Sequence, residues 1–577
     1  MYGKEAKLDI ARWKQFFQMA NLFIVLCILS FWIFLIPFWF MEGYFRDLDN
    51  LALCGLGEMF WFSLFGSIFV GISGIWAYKT YVYPDSISNT DTGIDGNVPE
   101  SLLTYGEKHV RGAKLTWGPS RQTLSQAYEN AQQMGKQLNL GKPLLPPTIA
   151  GAPFPYKFEN MGMFVMGSAG SGKSQVLKNM IADIRARGGR DKLIIYDRKP
   201  EYLPLFYQDG DTIICPADKR HTAWDMFAEV KGEQDLEGVI KSLIPEMPGT
   251  GANDKFWTDS GRGVFRAVLV YLLNHFDNPS NEELCKLLFN SAGQPKDLWD
   301  LLRDDDSARA YCSCLADADN PRATVPSSVL ATLKSYTDSF TRPEIAERGN
   351  FSIKEWLHDD STEGQAVFLV NPAKFAANYK SYFTVIIDLA LREMISLPND
   401  IDRRVWFFID EFGSLFRLDS IVRLLAEGRS KGAAVVLGTQ DLAQIKQNYK
   451  QDTETLVNNC NSKVLARVTS KDEAKYISDL IGDMEIEKRD GGSSVRMDEK
   501  AGVSMSLNDN ATRRRERRPV VLPAEITNLE SLTYFCKFCE YDWFINKIDY
   551  YPWGTYERVP EFIERSRMYF DTRQLLS

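Results

Sequence analysis

Histidine is scarce in this chain, with four residues in 577, and the nine cysteines are scattered. Most of the cysteines fall in segments read below as cytosolic, which argues against a disulfide framework. Cys536-Lys537-Phe538-Cys539 has the spacing of half a zinc site. No second CxxC accompanies it and histidine is too rare to complete it, so a zinc centre is not expected. A global excess of positive charge is also missing. The formal net charge is −9, so any contact with nucleic acid must come from local patches or from the inside of an assembly. No repeat of fixed period is visible. The length exceeds one compact domain and fits two to four units.

Two long uncharged runs are present. Met19–Met41 carries no charged residue in 23 positions, and Met59–Tyr78 carries none in 20. Each is long enough to cross a hydrocarbon core of about 30 Å. The first is too long for a cleaved signal peptide and lacks a small-residue cleavage site. Lys4, Lys7, Arg12 and Lys14 precede the first run, whereas the connecting stretch Glu42–Glu58 has one Arg and no Lys. The positive-inside rule then sets the N-terminus in the cytoplasm and returns the chain there after Lys79. The expectation is an inner-membrane hairpin: cytoplasmic residues 1–18, spans 19–41 and 59–78, and a periplasmic loop 42–58. A polar linker follows to about residue 110.

The stretch Gly167-Ser168-Ala169-Gly170-Ser171-Gly172-Lys173-Ser174 reads G-x-x-x-x-G-K-[ST], a loop whose backbone N–H groups cradle nucleotide phosphates. In that role Lys173 reaches the β- and γ-phosphates and the Ser174 hydroxyl sits on Mg²⁺. The apolar run Met161–Met166 reads as a buried strand before the loop. Val176, Leu177, Met180, Ile181 and Ile184 share one face of a helix after it. Strand, glycine loop and helix is the context the motif requires.

Further buried strands are expected at Lys192–Asp197, Asp211–Cys215, Gln365–Asn371, Arg404–Ile409, Ala433–Leu437 and Lys463–Arg467. Helical patterns lie between them, so the fold class is α/β: a mostly parallel sheet with helices on both faces. The Arg404–Ile409 strand ends in Asp410-Glu411. Asp410 is the candidate holder of the Mg²⁺ shell, and Glu411 is the candidate base that polarises the attacking water. Lys173 and Asp410 are 410 − 173 = 237 residues apart. Much of the excess lies within 231–349, which reads as helices and implies an inserted all-α domain. The nucleotide-binding domain then comprises 111–230 and 350–577.

Several residues keep two readings open. Gln440 follows the Ala433–Leu437 strand and either senses the γ-phosphate or caps the Asp441–Asn448 helix. Arg429, in Gly428-Arg429-Ser430-Lys431-Gly432, is either a bridge to a neighbouring subunit's phosphate or part of a solvated helix terminus. Arg513–Arg518 holds five arginines in six positions. It binds DNA phosphates or lipid headgroups, or is a solvated charge run. Met484–Asn510 is polar and reads as a mobile loop. Tyr534–Tyr551 is aromatic and partly alternating, consistent with closing strands.

Taken together these elements resemble the TraD-like coupling proteins of type IV secretion and bacterial conjugation. The likeness runs along nearly the whole chain. It rests on the two-span anchor, Arg111-Gly112-Ala113, the P-loop, Tyr196-Asp197-Arg198-Lys199-Pro200-Glu201, Ala223-Trp224-Asp225 and Phe256-Trp257. It also includes Arg404–Glu411, Gly428–Gly432, Gly438-Thr439-Gln440, Arg517-Arg518-Pro519 and Pro523-Ala524-Glu525-Ile526. Pro200 stands where that family often has Gly. The resemblance implies a RecA-like P-loop ATPase with an inserted all-α domain, using ATP and Mg²⁺ and assembling as a homo-hexamer at the inner membrane. It makes Arg429 a candidate trans-acting arginine. It implies as partners the single-stranded DNA with attached relaxase and the type IV secretion channel. Some members carry a long polar C-terminal tail; with the sequence ending at Ser577, cargo selection is expected in the helical domain.

The leading expectation is ATP-driven transfer of single-stranded DNA. A receptor for protein effectors without DNA handling is the nearest alternative. A double-stranded DNA pump of the chromosome-segregation type is another, but it calls for more spans and a DNA-reading domain. A membrane scaffold with a degenerate nucleotide site is disfavoured by the presence of Lys173, Ser174, Asp410 and Glu411 together.

Overall fold

The computed structural model describes residues 114–117, 146–187, 191–246, 252–291, 294–320, 322–490, 512–541 and 543–565. The two expected spans, the loop between them, the linker and Arg111-Gly112-Ala113 lie outside the described residues. Among the described residues no helix is long and apolar enough to cross a membrane.

The chain divides into two compact units. The smaller contains Val110–Thr116 and Ile486–Glu516. Most of a three-stranded sheet belongs to it, built from Lys114–Trp117, Asp483–Asp490 and Thr512–Pro519. The expected loop at 484–510 therefore starts as a strand. Met484 and Ile486 alternate with Glu485 and Glu487, a period of two that suits a pleated backbone. The arginine run 513–518 is likewise in a strand.

The larger unit is built on a nine-stranded sheet. Its strands are β1 (Met163–Met166), β2 (Lys192–Asp197), β3 (Thr212–Ile214), β4 (Ala366–Val370), β5 (Val405–Ile409), β6 (Ala433–Thr439), β7 (Ser462–Leu465), β8 (Thr533–Lys537) and β9 (Phe544–Lys547). The order is β9-β8-β7-β1-β6-β5-β2-β4-β3. The strands from β7 to β3 are parallel, while β8 and β9 pair antiparallel at one edge. Residues of β1, β2, β4, β5 and β6 are buried along their whole length, as expected for parallel strands covered on both faces.

Alternation sorts the side chains to two layers. Val165, Ile195, Phe368, Trp406, Phe408 and Val436 share a core with Leu177 and Ile181 of the helix Lys173–Arg187. On the other face Tyr196 meets Phe383 of the helix Lys380–Ser396 at a ring separation of 5.9 Å. Each fully buried aromatic or branched side chain of this kind contributes about 1.5–3 kcal/mol through the hydrophobic effect.

Between β3 and β4 the chain is helical. Helices span Glu233–Leu243, Ala252–His275, Asn281–Ser291, Pro295–Leu302 and Val325–Thr337. Val264, Phe265, Val268, Leu269 and Leu272 of the 24-residue helix are buried. Glu229 ties the two ends of this excursion together. Its buried carboxylate accepts from Trp224 Nε1 (2.7 Å), Ser352 Oγ (2.9 Å), Ile353 N (2.6 Å) and Lys354 N (3.1 Å). Burial raises its pKa, and these donors oppose the rise by favouring the charged form.

The N-terminal ends of β1, β2 and β5 are joined by a buried ionic network. Glu159 receives both terminal nitrogens of Arg187 at 2.7 and 3.1 Å, and Arg404 Nε at 3.0 Å. Arg187 also pairs with Asp191, which accepts from Trp406 Nε1 at 3.0 Å. The Arg404 guanidinium stacks 3.7 Å from the Tyr156 ring centre. Burial pushes the Tyr156 phenol up to about 12.

Candidate nucleotide site

In a parallel sheet, ligands sit beyond the carboxyl ends of the strands. The register aligns those ends: Met166 pairs with Thr439, Leu437 with Ile409, and Tyr196 with Ile409. Four chemically distinct segments therefore leave the sheet on one edge. Gly167–Ser174 follows β1, Asp410-Glu411 follows β5, Gln440 follows β6, and Asp197 closes β2. Because β6 lies between β1 and β5, Gln440 emerges between the loop and the acids.

The loop is held from three sides. Gly167 N donates to Thr439 O (3.2 Å), and Ser168 N donates to Arg467 O (2.9 Å). Leu532 N donates to Ser171 O (2.9 Å) and the Tyr534 hydroxyl to Gly172 O (3.0 Å). Gly172 has φ +104°, and a Cβ there would stand 2.6 Å from Leu532 Cδ2, so only glycine fits. Gly170, at φ +75°, faces open space on the other side. Leu532 itself has φ 63°, a costly conformation for a leucine. The backbone strain thus sits where the chain turns to pin the loop.

Lys173 is buried and its ammonium pairs with the Asp410 carboxylate. It also donates to Asp410 O at 2.9 Å. The loop lysine and the strand-end acid, 237 residues apart, are thereby in contact. Glu411 is next to them and receives the Gln440 main-chain N–H. Burial raises the Glu411 pKa; the Lys173 charge pulls it back and the Asp410 charge pushes it up. The structure thus brings Lys173, Asp410, Glu411 and Gln440 together, with Ser174 one residue along the helix from Lys173. The helix after Gln440 is capped by Asp441, whose carboxylate accepts from Ala443 N at 2.7 Å. Gln440 is not the cap.

A family model, the type IV secretion-system coupling protein DNA-binding domain, matches residues 146–543. The chain belongs to this family. It is 29% identical over 381 residues to the coupling protein TraD of Escherichia coli (strain K12). That match covers 64% of this chain and 50% of TraD. A conjugal transfer protein TraG of Escherichia coli is 22% identical over 339 residues, covering 54% of this chain and 52% of TraG. The chain spans about half the length of these curated relatives. Among solved structures, the plasmid coupling protein TrwB in complex with ADP and Mg²⁺ superimposes with a TM-score of 0.62. It is 24% identical and covers 78% of this chain and 98% of its own. TrwB with the non-hydrolysable ATP analogue ADPNP gives the same values. The shared fold is a RecA-like P-loop α/β domain with a mixed sheet.

Arg429 is not among the residues gathered at this site. It is exposed in a turn, Gly428–Lys431, that precedes β6. Its carbonyl accepts from Asn160 Nδ2 at 2.9 Å, and Asn160 precedes β1. Arg429 therefore lies at the opposite, amino-terminal ends of the strands. The seven residues of β6 separate it from Gln440 by about 20 Å at about 3.3 Å per residue.

Three further residues stand beside the site. The Asp197 carboxylate is fully buried and accepts from Glu201 N (3.0 Å), Tyr202 N (2.9 Å) and Leu203 N (3.1 Å). Burial pushes its pKa up to about 7, against the pull of those three donors; the Asp410 charge adds to the rise. The loop containing Pro200 is thus wound around Asp197. The buried Tyr202 phenol stands near Asp410, and its pKa is raised by burial first and by that charge second. Arg467 supports the loop through its carbonyl, as described above.

Proposed function

We propose that this chain is an inner-membrane, ATP-driven coupling protein. In this reading it recruits a relaxase-DNA complex and drives single-stranded DNA through a type IV secretion channel. The observation that carries the reading is the contact of Lys173 with Asp410, with Glu411 and Gln440 alongside, in a chain of the coupling-protein family.

The residues present fit a Mg²⁺-nucleotide. Gly170 leaves the loop open on one side, and the buried Ser171 hydroxyl has no hydrogen-bond partner. The Lys173 ammonium is fixed at the loop's helical end. Ser174 and Asp410 would hold Mg²⁺, which supplies charge neutralisation at the phosphates. Lys173 would exchange its Asp410 partner for phosphate oxygens. Glu411, made more basic by burial, would accept the proton of the attacking water. Gln440 would report the γ-phosphate to β6. The structures of TrwB with ADPNP and with ADP and Mg²⁺ support this reading. The two uncharged runs at 19–41 and 59–78 support a two-span anchor with the ATPase on the cytoplasmic side.

ATP hydrolysis by the full chain in detergent should rise on addition of single-stranded DNA. Absence of both stimulation and DNA binding would favour the protein-effector receptor instead. Arg429 is expected to serve a neighbour in a homo-hexamer, since its own site lies at the other ends of the strands. Arg429→Ala and Lys173→Ala should each be inactive alone, yet a mixture should regain part of the ATPase activity. Mixed rings contain interfaces with an intact Lys173 on one side and an intact Arg429 on the other. No recovery in the mixture would sink the trans role.

A further inference from the structure

The loop Gly167–Ser174 accounts for the phosphates of a nucleotide, but none of the residues described so far accounts for its base. Past the closing strands, Tyr551, Trp553 and Tyr556 form an aromatic array. The Tyr551 and Tyr556 rings stack 5.3 Å apart at an interplanar angle of 18°. Trp553 lies 4.6 Å from Tyr551 and meets Phe206 edge-on at 5.4 Å. Phe206 belongs to the buried core. The array thus has an inner end anchored by Trp553 and an outer end exposed to solvent. Tyr551 is 41% and Tyr556 53% exposed.

The array is joined to the start of the P-loop helix. Gln175, which immediately follows Ser174, donates Nε2 to Tyr551 O at 3.1 Å. Its other amide atom, Oε1, is buried with no hydrogen-bond partner. A nucleotide gripped by its phosphates at 167–174 extends its sugar and base away from the loop. The array at Gln175 offers flat aromatic faces beside that grip.

We propose that Tyr551 and Tyr556 are the platform on which the base of the bound nucleotide stacks. The proposal rests on the reading of Gly167–Ser174 as a nucleotide site. Stacking on aromatic faces tolerates any base, because every base has a π-face. Adenine and guanine nucleotides should therefore bind with similar affinity. A purely structural role for the array is met by other contacts. Trp553 reaches the core, and Arg558 N donates to Pro204 O at 2.7 Å, which fastens the segment through its backbone. The Gln175 bond also goes to a main-chain oxygen and survives loss of the Tyr551 ring.

The test compares MgATP with Mg-tripolyphosphate, which has the phosphates but no base, on the full chain. Tyr551→Ala should weaken MgATP binding by about tenfold or more and leave tripolyphosphate binding unchanged. Tyr556→Ala should weaken MgATP in the same direction, and Tyr551→Phe should restore the affinity lost in Tyr551→Ala. Wild-type MgATP affinity in both alanine variants, or an equal loss for both ligands, would overturn the platform. If the unaltered chain binds neither ligand, the reading of the P-loop itself fails, which is a distinct result.

Discussion

Lys173→Ala should abolish ATP turnover together with nucleotide binding, whereas Glu411→Gln should abolish turnover and leave binding intact. The difference follows from what each side chain touches. Lys173 is the buried cation beside the loop and the partner of Asp410. Its removal takes away the phosphate contact and leaves a carboxylate uncompensated at the same point. Glu411 lies one residue beyond, held by the Gln440 N–H, with its basicity raised by burial. Glutamine has its size and accepts the same hydrogen bond, but cannot take a proton from water. A positioned general base contributes about 10²–10⁴-fold, and loss of a preorganised charge contact costs a comparable factor. Phosphate release and equilibrium binding of MgATP, measured on the same preparations, separate the two variants. Wild-type turnover in either one would refute the assignment of an ATPase site. Under the proposed function, DNA transfer should follow turnover, and membrane insertion should be unchanged in both.

Glu159→Ala should destabilise the larger unit by about 3–5 kcal/mol, because it strands the buried guanidinium groups of Arg187 and Arg404. Those charges are otherwise satisfied only in part, by Asp191 and by main-chain carbonyls. Replacing all three members, as Glu159→Leu with Arg187→Met and Arg404→Met, should recover part of the loss, since both guanidinium groups leave with the glutamate while Asp191 keeps only Trp406 Nε1 as a partner. Urea denaturation of the three proteins measures both effects. A loss below about 1 kcal/mol in Glu159→Ala would show that water reaches the network and screens it.

Much of the sheet was legible because parallel strands covered on both faces are continuous apolar runs. Lys192–Asp197 and Val405–Ile409 have no alternation to obscure them, and the strands found differ from those expected only at the ends. The P-loop and Asp410-Glu411 were legible because their chemistry demands fixed residue types at fixed spacing. Strand order was not, since no local signal says that β6 divides β1 from β5. The clamp on the loop was also invisible: Tyr534 and Gly172 are 362 residues apart, and a tyrosine in a strand has many other uses. Asp197 read as the end of a strand rather than as the centre of the loop that follows it. The Gln440 alternative failed for a simple reason. The adjacent aspartate is the better helix cap, because its short carboxylate reaches the first free N–H groups. Within 484–510 the described residues end at Asp490 and form a strand, where the alternation of Met484 and Ile486 outweighs the low hydrophobicity.

The placement of Arg429 constrains how copies of this chain can meet. The phosphate loop and Arg429 lie at opposite ends of the strands of one sheet, so an arginine that completed a neighbour's site would join two unlike surfaces. Such a contact can be made head to tail, the arginine of each copy meeting the loop of the next. Repeating it generates a ring when the rotation between successive copies closes and an open helix when it does not. If Arg429 serves a neighbour as proposed, the turn Gly428–Lys431 and its Asn160 tether are part of that contact. Asn160→Ala would loosen the turn that carries Arg429, so under the trans reading it should disturb assembly and ATP turnover together.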